Sequence, residues 1–198
     1  MRVTKEKAAE HRAAIVTAAS RLFRQRGFDG VGVAEIMKAA GLTHGGFYGH
    51  FASKEALAAE ACGEAFVHSM TRLQPGAADI LDYLDSYLSE LHRDRPDKGC
   101  PMAAFADEIA RQSTPVQSEF TTGTAQFIDV LVQRLEHFQG EGTAERRSRA
   151  IAILAAMVGG MALARATAGT SPELSADILA SVRAQLDRTA LGQSAVLP

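Results

Sequence analysis

The sequence predicts an all-helical protein with a small basic N-terminal head and a larger acidic body. Three observations carry this. Apolar residues recur at helical spacing along most of the chain, with no strand-like alternation and no internal repeat. Glycine, proline and capping residues punctuate that pattern at intervals suited to nine helices. Charge is also unevenly divided: residues 1–54 hold nine Lys/Arg against four Asp/Glu, a net +5, whereas the remainder holds 12 against 19, a net −7. A basic head on an acidic body points to a polyanion as the head's partner.

The elements follow in order. Residues 5–26 carry Ile15, Ala18, Ala19, Leu22 and Phe23 on one helical face, and Gly27 stops the helix after its basic last turn. Gly32 can cap a short helix ending at Gly41, with Glu35 at the third position of a capping box. Thr43 caps a second short helix over 44–50. Ser53 caps a third that runs from about 54 to 72 and stops before Gln74–Gly76. A helix over 77–94 would place Ile80, Leu81, Leu84, Tyr87, Leu88 and Leu91 together. The segment 95–101 is a turn-rich break, with Pro101 suited to open a helix over about 102–112 and Cys100 at or near its cap. Thr114–Pro115 opens a helix reaching about 139, and Gly140–Gly142 turns the chain. An apolar helix over 143–168 follows, and Ser171–Pro172 opens a last one to about 190.

At 198 residues and 46% hydrophobic content, the chain can bury a core of ordinary size. Its two cysteines, Cys62 and Cys100, are too few for a disulfide framework, and they predict a reduced, cytoplasmic setting. The N-terminal stretch MRVTKEKAAEHR lacks the apolar centre of a signal peptide. Residues 150–164 form fifteen uncharged positions, short of the roughly 20 that span a bilayer. Arg146, Arg147, Arg149 and Arg165 bracket them, which predicts a buried helix and no membrane partner.

The stretch GLTHGGFYGHFASKE, Gly41 to Glu55, holds four glycines among two histidines and three aromatic residues. Each glycine costs roughly 1 kcal/mol against alanine inside a helix, so a buried helix would not be built this way. Two short helices joined by Ala40-Gly41-Leu42-Thr43 match a helix-turn-helix, whose second helix enters the major groove. On that reading Gly45, Gly46 and Gly49 let DNA approach closely, while Gly41 supplies the turn.

The pattern from Gly27 to Leu57 resembles the DNA-binding head of the TetR family of repressors. The shared features are Ala40–Gly41 before the turn, the aromatic-x-His-Phe core Tyr48–Gly49–His50–Phe51, and Ser53–Lys54–Glu55 opening the next helix. The resemblance implies a nine-helix fold with a DNA-binding domain at 1–52 and a ligand-binding and dimerisation domain at 53–198. It further implies that Thr43, His44, Gly45 and Gly46 face bases or adjacent phosphates, and that Tyr48, His50 and Lys54 reach the phosphate backbone. The residue types agree, since hydroxyl, imidazole, ammonium and backbone N–H donors all suit phosphate oxygens. At Gly32 most relatives carry Ser or Thr, so a side-chain cap and a phosphate contact are lost there. With glycine at 45 and 46, Thr43 and His44 carry more of the base reading. Phe47 and Phe51 read as core.

In that family the body dimerises and binds a small molecule that weakens DNA binding. The implied function is a repressor acting as a homodimer on a near-palindromic operator in double-stranded DNA. Residues 150–168 support the dimer independently, being apolar on nearly every face, with Gly159–Gly160 allowing a second helix close. The interface is therefore placed on 143–168 and 173–190. Candidates to line a pocket for an apolar or aromatic ligand are Phe66, Met70, Tyr83, Tyr87, Cys100, Met102, Phe105, Phe120 and Phe127. Two alternatives stand beside this: release through oxidant or electrophile chemistry at Cys100, and a DNA-binding protein with no ligand. No cofactor motif, catalytic constellation or paired metal-binding histidines appear in the sequence, so no enzyme is expected; a site using His68, His92 or Cys100 is the remaining metal option.

Overall fold

The computed structural model describes residues 4–73, 80–135 and 142–190, and every described element is helical. The chain divides into two compact units. Met1–Ser69 and Pro96–Gly123 form the first, and Met70–Arg95 with Thr124–Pro198 form the second.

In the first unit, α1 (Lys5–Arg26) begins at Thr4, whose hydroxyl accepts from the Lys7 amide at 3.2 Å, and stops at Gly27, whose φ of 76° only glycine adopts freely. Its inner face buries Ile15, Ala19 and Phe23, with the Phe23 ring 5.1 Å from that of Phe28; Ile36, Phe47 and Leu57 are buried in the same unit. Helix α2 (Val33–Ala39) starts at Gly32 as expected, but the capping box does not form: the Glu35 carboxylate pairs with Arg26 at 2.5 Å instead. Gly41 makes the turn at φ 72°. The 44–50 helix appears as six residues of 3₁₀ helix, His44–Gly49, with Thr43 at the cap position but no side-chain cap bond. Three glycines lower the helical propensity of this segment, so it settles for short 3₁₀ turns. Ser53 caps α3 (Lys54–Met70), accepting from the Ala56 amide at 3.2 Å, and a 3₁₀ turn over Thr71–Leu73 continues it.

The first unit is completed from further along the chain. After a 3₁₀ turn over Pro96–Lys98 comes the segment of α6 (Pro101–Phe105), which is short where a helix to 112 was expected; a separate 3₁₀ turn spans Ile109–Arg111. Glu108 lies between the two, and its carboxylate turns back to accept from the Phe28 amide at 2.9 Å. Phe105 packs on Phe28 with the rings tilted at 37° and their centroids 4.6 Å apart. The buried Arg24 guanidinium donates to the carbonyls of Ser20 and Gly99. Burial draws it below its ordinary value, opposed by the Asp97 carboxylate. Helix α7 (Thr114–Arg134) packs residues 114–123 here: Gly123 lies flat against Phe66, whose ring also meets Phe120 edge-on at 5.6 Å. The expected extension of this helix over 136–139 and the Gly140 turn lie outside the described residues.

In the second unit the expected helix over 77–94 is two. Its first three residues lie outside the described residues; the rest divides into α4 (Ile80–Tyr87) and α5 (Glu90–Asp94). Ser89 restarts the helix, its hydroxyl accepting from the His92 amide at 3.2 Å. That restart shifts the helical phase. Leu91, expected on the buried face, is 75% exposed, and His92 takes the interior position. Helices α8 (Thr143–Ala168) and α9 (Pro172–Ala190) form an antiparallel hairpin. Its inner seam buries Ile153, Met157, Gly160, Met161 and Ala164, with Val182 seated on Gly160 and the Ser175 hydroxyl donating to Ala164 O at 2.7 Å. Arg165 reaches from α8 to the carbonyls of His92 and Arg93, satisfying the end of α5.

Candidate nucleic-acid interface

The surface around residues 43–54 is shaped by what it lacks. A Cβ built at Gly32, Gly45 or Gly49 meets nothing within 4 Å, and one at Gly46 meets only Met37 Cε at 3.7 Å. None of these four has a positive φ. Neither backbone conformation nor internal packing therefore demands glycine there. Gly41 differs, because its φ of 72° does require it.

Between these open glycines the large side chains divide cleanly. Phe47 is fully buried and stacks with Phe51 at 5.8 Å, so both are core, as expected. Tyr48 projects outward at 73% exposure, its ring meeting Phe47 edge-on at 5.2 Å. Thr43 and His44 are exposed, and His50 is half-buried at the end of the 3₁₀ turn, its amide held by Phe47 O at 2.9 Å. The Lys54 ammonium lies 5.9 Å from the centre of the buried Phe23 ring, which leaves its charge at the head surface. Next to it, the Ser53 hydroxyl and the Glu55 amide hold the Glu55 carboxyl below its ordinary range.

The structure thus gathers Thr43, His44, Gly45, Gly46, Tyr48, His50 and Lys54 on one short stretch that follows α2. Two further contacts were not legible beforehand. Arg12 of α1 lies 4.6 Å over the Phe51 ring and pairs with Glu60, and His11 meets His50 edge-on with ring centroids 6.2 Å apart. Both join residues 39 positions apart, a separation to which helical periodicity is blind.

Comparison with known proteins fits this geometry. A family model described as bacterial regulatory proteins of the tetR family matches residues 15–61. A second, described as the C-terminal domain of LmrA/YxaF-like transcriptional regulators, matches residues 76–176. The chain belongs to the TetR family of transcriptional regulators. It is 28% identical over 174 residues to the HTH-type transcriptional regulator LmrA of Bacillus subtilis, covering 83% of this chain and 91% of that one. It is 30% identical over 131 residues to the transcriptional repressor NemR of Escherichia coli K12, covering 62% and 66% respectively. The crystal structure of reduced E. coli NemR superposes with a TM-score of 0.69 at 26% identity, over 87% of this chain and 94% of that one. A TetR-family regulator from Cytophaga hutchinsonii shares the fold at a TM-score of 0.72 and 19% identity, over 97% and 98%.

As a TetR-family regulator the chain carries a DNA-binding helix-turn-helix in α2 and the 3₁₀ segment 44–49. The nine residues expected to line a ligand pocket fall into both units. Phe66, Cys100, Met102, Phe105 and Phe120 belong to the first; Met70, Tyr83, Tyr87 and Phe127 belong to the second. Within the second, Tyr83 lies 5.9 Å from Tyr87 and 6.5 Å from Phe127, ring centre to ring centre. Within the first, Phe105 and Phe66 serve as packing for Phe28 and Gly123. Cys100 caps α6 and is 3% exposed, and Cys62 is wholly buried in α3. Among the described residues, no group of three or more His, Cys, Asp or Glu is placed to hold a metal.

Proposed function

We propose that the chain is a cytoplasmic, homodimeric repressor that binds a near-palindromic operator and leaves it when a small apolar or aromatic molecule binds the body. The observation that carries the operator reading is the set of open glycines at 45 and 49 beside the exposed Tyr48. Glycines that the chain itself does not need mark a surface where another backbone must come close. Thr43 and His44 read base edges; Gly45 and Gly46 admit the DNA; Tyr48, His50 and Lys54 hold phosphates, and Gly32 offers only its backbone.

The dimer reading rests on the outer face of α8. Ile151, Ala152, Ala155, Gly159, Ala162 and Leu163 are all exposed there, opposite the seam that α9 covers, and Gly159 has nothing within 4 Å. Small residues at helical spacing let a second helix pack closely, so two hairpins of 143–168 and 172–190 form the interface. For the ligand, the Tyr83–Tyr87–Phe127 group offers aromatic faces with two phenols for orientation. Burial of Cys100 favours ligand release over a thiol switch.

Footprinting on a selected operator tests the central claim: one protected near-palindrome with half-sites about one helical turn apart is expected. Equal protection of unrelated sequences would remove it. Lys54→Ala should weaken all sequences alike and reduce the salt slope by about 0.9, whereas His44→Ala should relax discrimination at one base-pair step on a scale of about 1–3 kcal/mol. If the two variants behave alike, the division of roles is wrong.

A further inference from the structure

His11 and His50 differ from His92, the buried histidine among the described residues. In His92 the ring is committed: Nδ1 donates to the Tyr87 carbonyl at 2.7 Å and the ring packs on Tyr87 at 4.5 Å. The imidazoles of His11 and His50, 6.2 Å apart and inclined at 77°, are each half-buried, and neither has a hydrogen-bond partner among the described residues. Each neutral ring carries one N–H donor and one acceptor, and a protonated ring carries two donors.

Their placement is firm. His11 lies one helical turn before the fully buried Ile15, at the rim of the face that α1 packs inward. Arg12, the next residue, is pinned over Phe51 and paired with Glu60, and Phe51 is the neighbour of His50. Two consecutive residues of α1 thus meet two consecutive residues at the end of the recognition segment, and both imidazoles stay half-exposed in a head whose first 54 residues carry +5.

We propose that His11 and His50 form a two-imidazole cradle for a single phosphate of the operator backbone, which makes His11 a DNA contact in its own right. The inference rests on the operator reading above and extends it to α1. Rings at this separation can direct one N–H each at a shared oxygen lying between their edges, with donor distances of about 2.8 Å. A phosphate supplies that oxygen, and the site carries no sequence information.

The test uses the full-length protein and the duplex it selects from a randomised library. That duplex is remade as a series in which one phosphate at a time is replaced by an uncharged methylphosphonate. For the native protein, one position per half-site should cost about tenfold in affinity, the scale of a charge-assisted hydrogen bond. In His11→Phe, which keeps a ring but loses the donor, overall affinity should drop by a similar factor and the penalty at that one position should shrink below about twofold. His50→Phe should erase the penalty at the same position, and His11→Gln, which restores an N–H, should recover most of it. A melting temperature lowered in His11→Phe would be met by His11→Ala, read against the same phosphate series. The cradle is overturned if His11→Phe binds like the native protein, or if it weakens binding without changing the phosphate pattern. It is also overturned if His11 and His50 map to different phosphates. A native protein that selects no duplex would sink the operator reading itself.

Discussion

Glu108 accepts a hydrogen bond from the Phe28 backbone amide at 2.9 Å, and its carboxylate fills the space where a side chain at residue 27 would begin. The link spans 80 positions and fastens the turn after α6 to the stop of α1. Gly27 is thus constrained twice, by a φ of 76° and by Glu108 Oε1, which a Cβ there would run into.

Gly27→Ala should therefore destabilise the protein by more than the φ cost of about 1 kcal/mol alone. Glu108→Ala should cost about 1–3 kcal/mol by orphaning the Phe28 amide. The double variant should be less destabilised than the two singles added together, because removing the carboxylate relieves the clash. Urea unfolding of the three variants measures this coupling, and strict additivity would contradict it.

At the nucleic-acid interface the same substitution should act in the opposite sense. Gly45→Ala and Gly49→Ala place a methyl group in open space, at backbone angles alanine accepts. Each should raise stability by about 0.4–1 kcal/mol through the unfolded chain. Each should also lower operator affinity, since the methyl stands where DNA approaches. Thermal melts and binding isotherms on the same samples check it; alanine variants that bind as tightly as the native protein would refute the close approach.

Cys62 ties stability to alkaline pH. Burial, aided by the Glu119 carboxylate, pushes its thiol up to about 12, against about 8.5 in an unfolded chain. The folded state thus holds the proton more tightly. Its contribution is complete below about pH 8.5 and is lost as pH rises toward 12, at up to about 1.4 kcal/mol per pH unit. Native protein should lose more stability between pH 7.5 and 9.5 than Cys62→Ala does, by about 1.4 kcal/mol. Equal losses in urea titrations at the two pH values would remove the assignment.

Adjacent glycines on α8 should separate folding from assembly. Gly160→Ala puts a methyl 3.0 Å from Val182 Cγ2 and should destabilise the α8–α9 hairpin by about 1 kcal/mol or more. Gly159→Glu faces open space and should leave the monomer folded while turning dimer into monomer and abolishing operator binding. Sedimentation velocity with circular dichroism distinguishes the two outcomes; a Gly159→Glu dimer would place the interface elsewhere.

Much of this architecture was legible because it is written in local chemistry. Gly27 and Gly41 mark left-handed turns, Ser53 caps α3, and Pro101 and Pro172 open α6 and α9, each needing only neighbours in sequence. The exposed face of residues 43–50 was legible for the same reason, since glycines in a helical segment are conspicuous. Ser89 was readable too, as a cap with Glu90 in the first turn, but the apolar stripe continuing to Leu91 masked it. The contacts of Glu108 with Phe28, Arg12 with Phe51 and His11 with His50 were not readable. They depend on which helices meet, and no local spacing encodes that.

The split make-up of the first unit also sets an order of events during synthesis. Phe28 finds its covering ring in Phe105 and its amide partner in Glu108, and Gly123 is the seat for Phe66. None of these exists when Ser69 leaves the ribosome. At about 5–20 residues per second, the ribosome takes about 3–11 s to supply residues 70–123. For that interval the nascent DNA-binding half lacks the Phe105 ring that packs on Phe28, and it reaches its final packing only after all of α4 and α5 has been made. A chain that stops before Phe105 and Glu108 lacks both the ring that packs on Phe28 and the carboxylate that holds its amide.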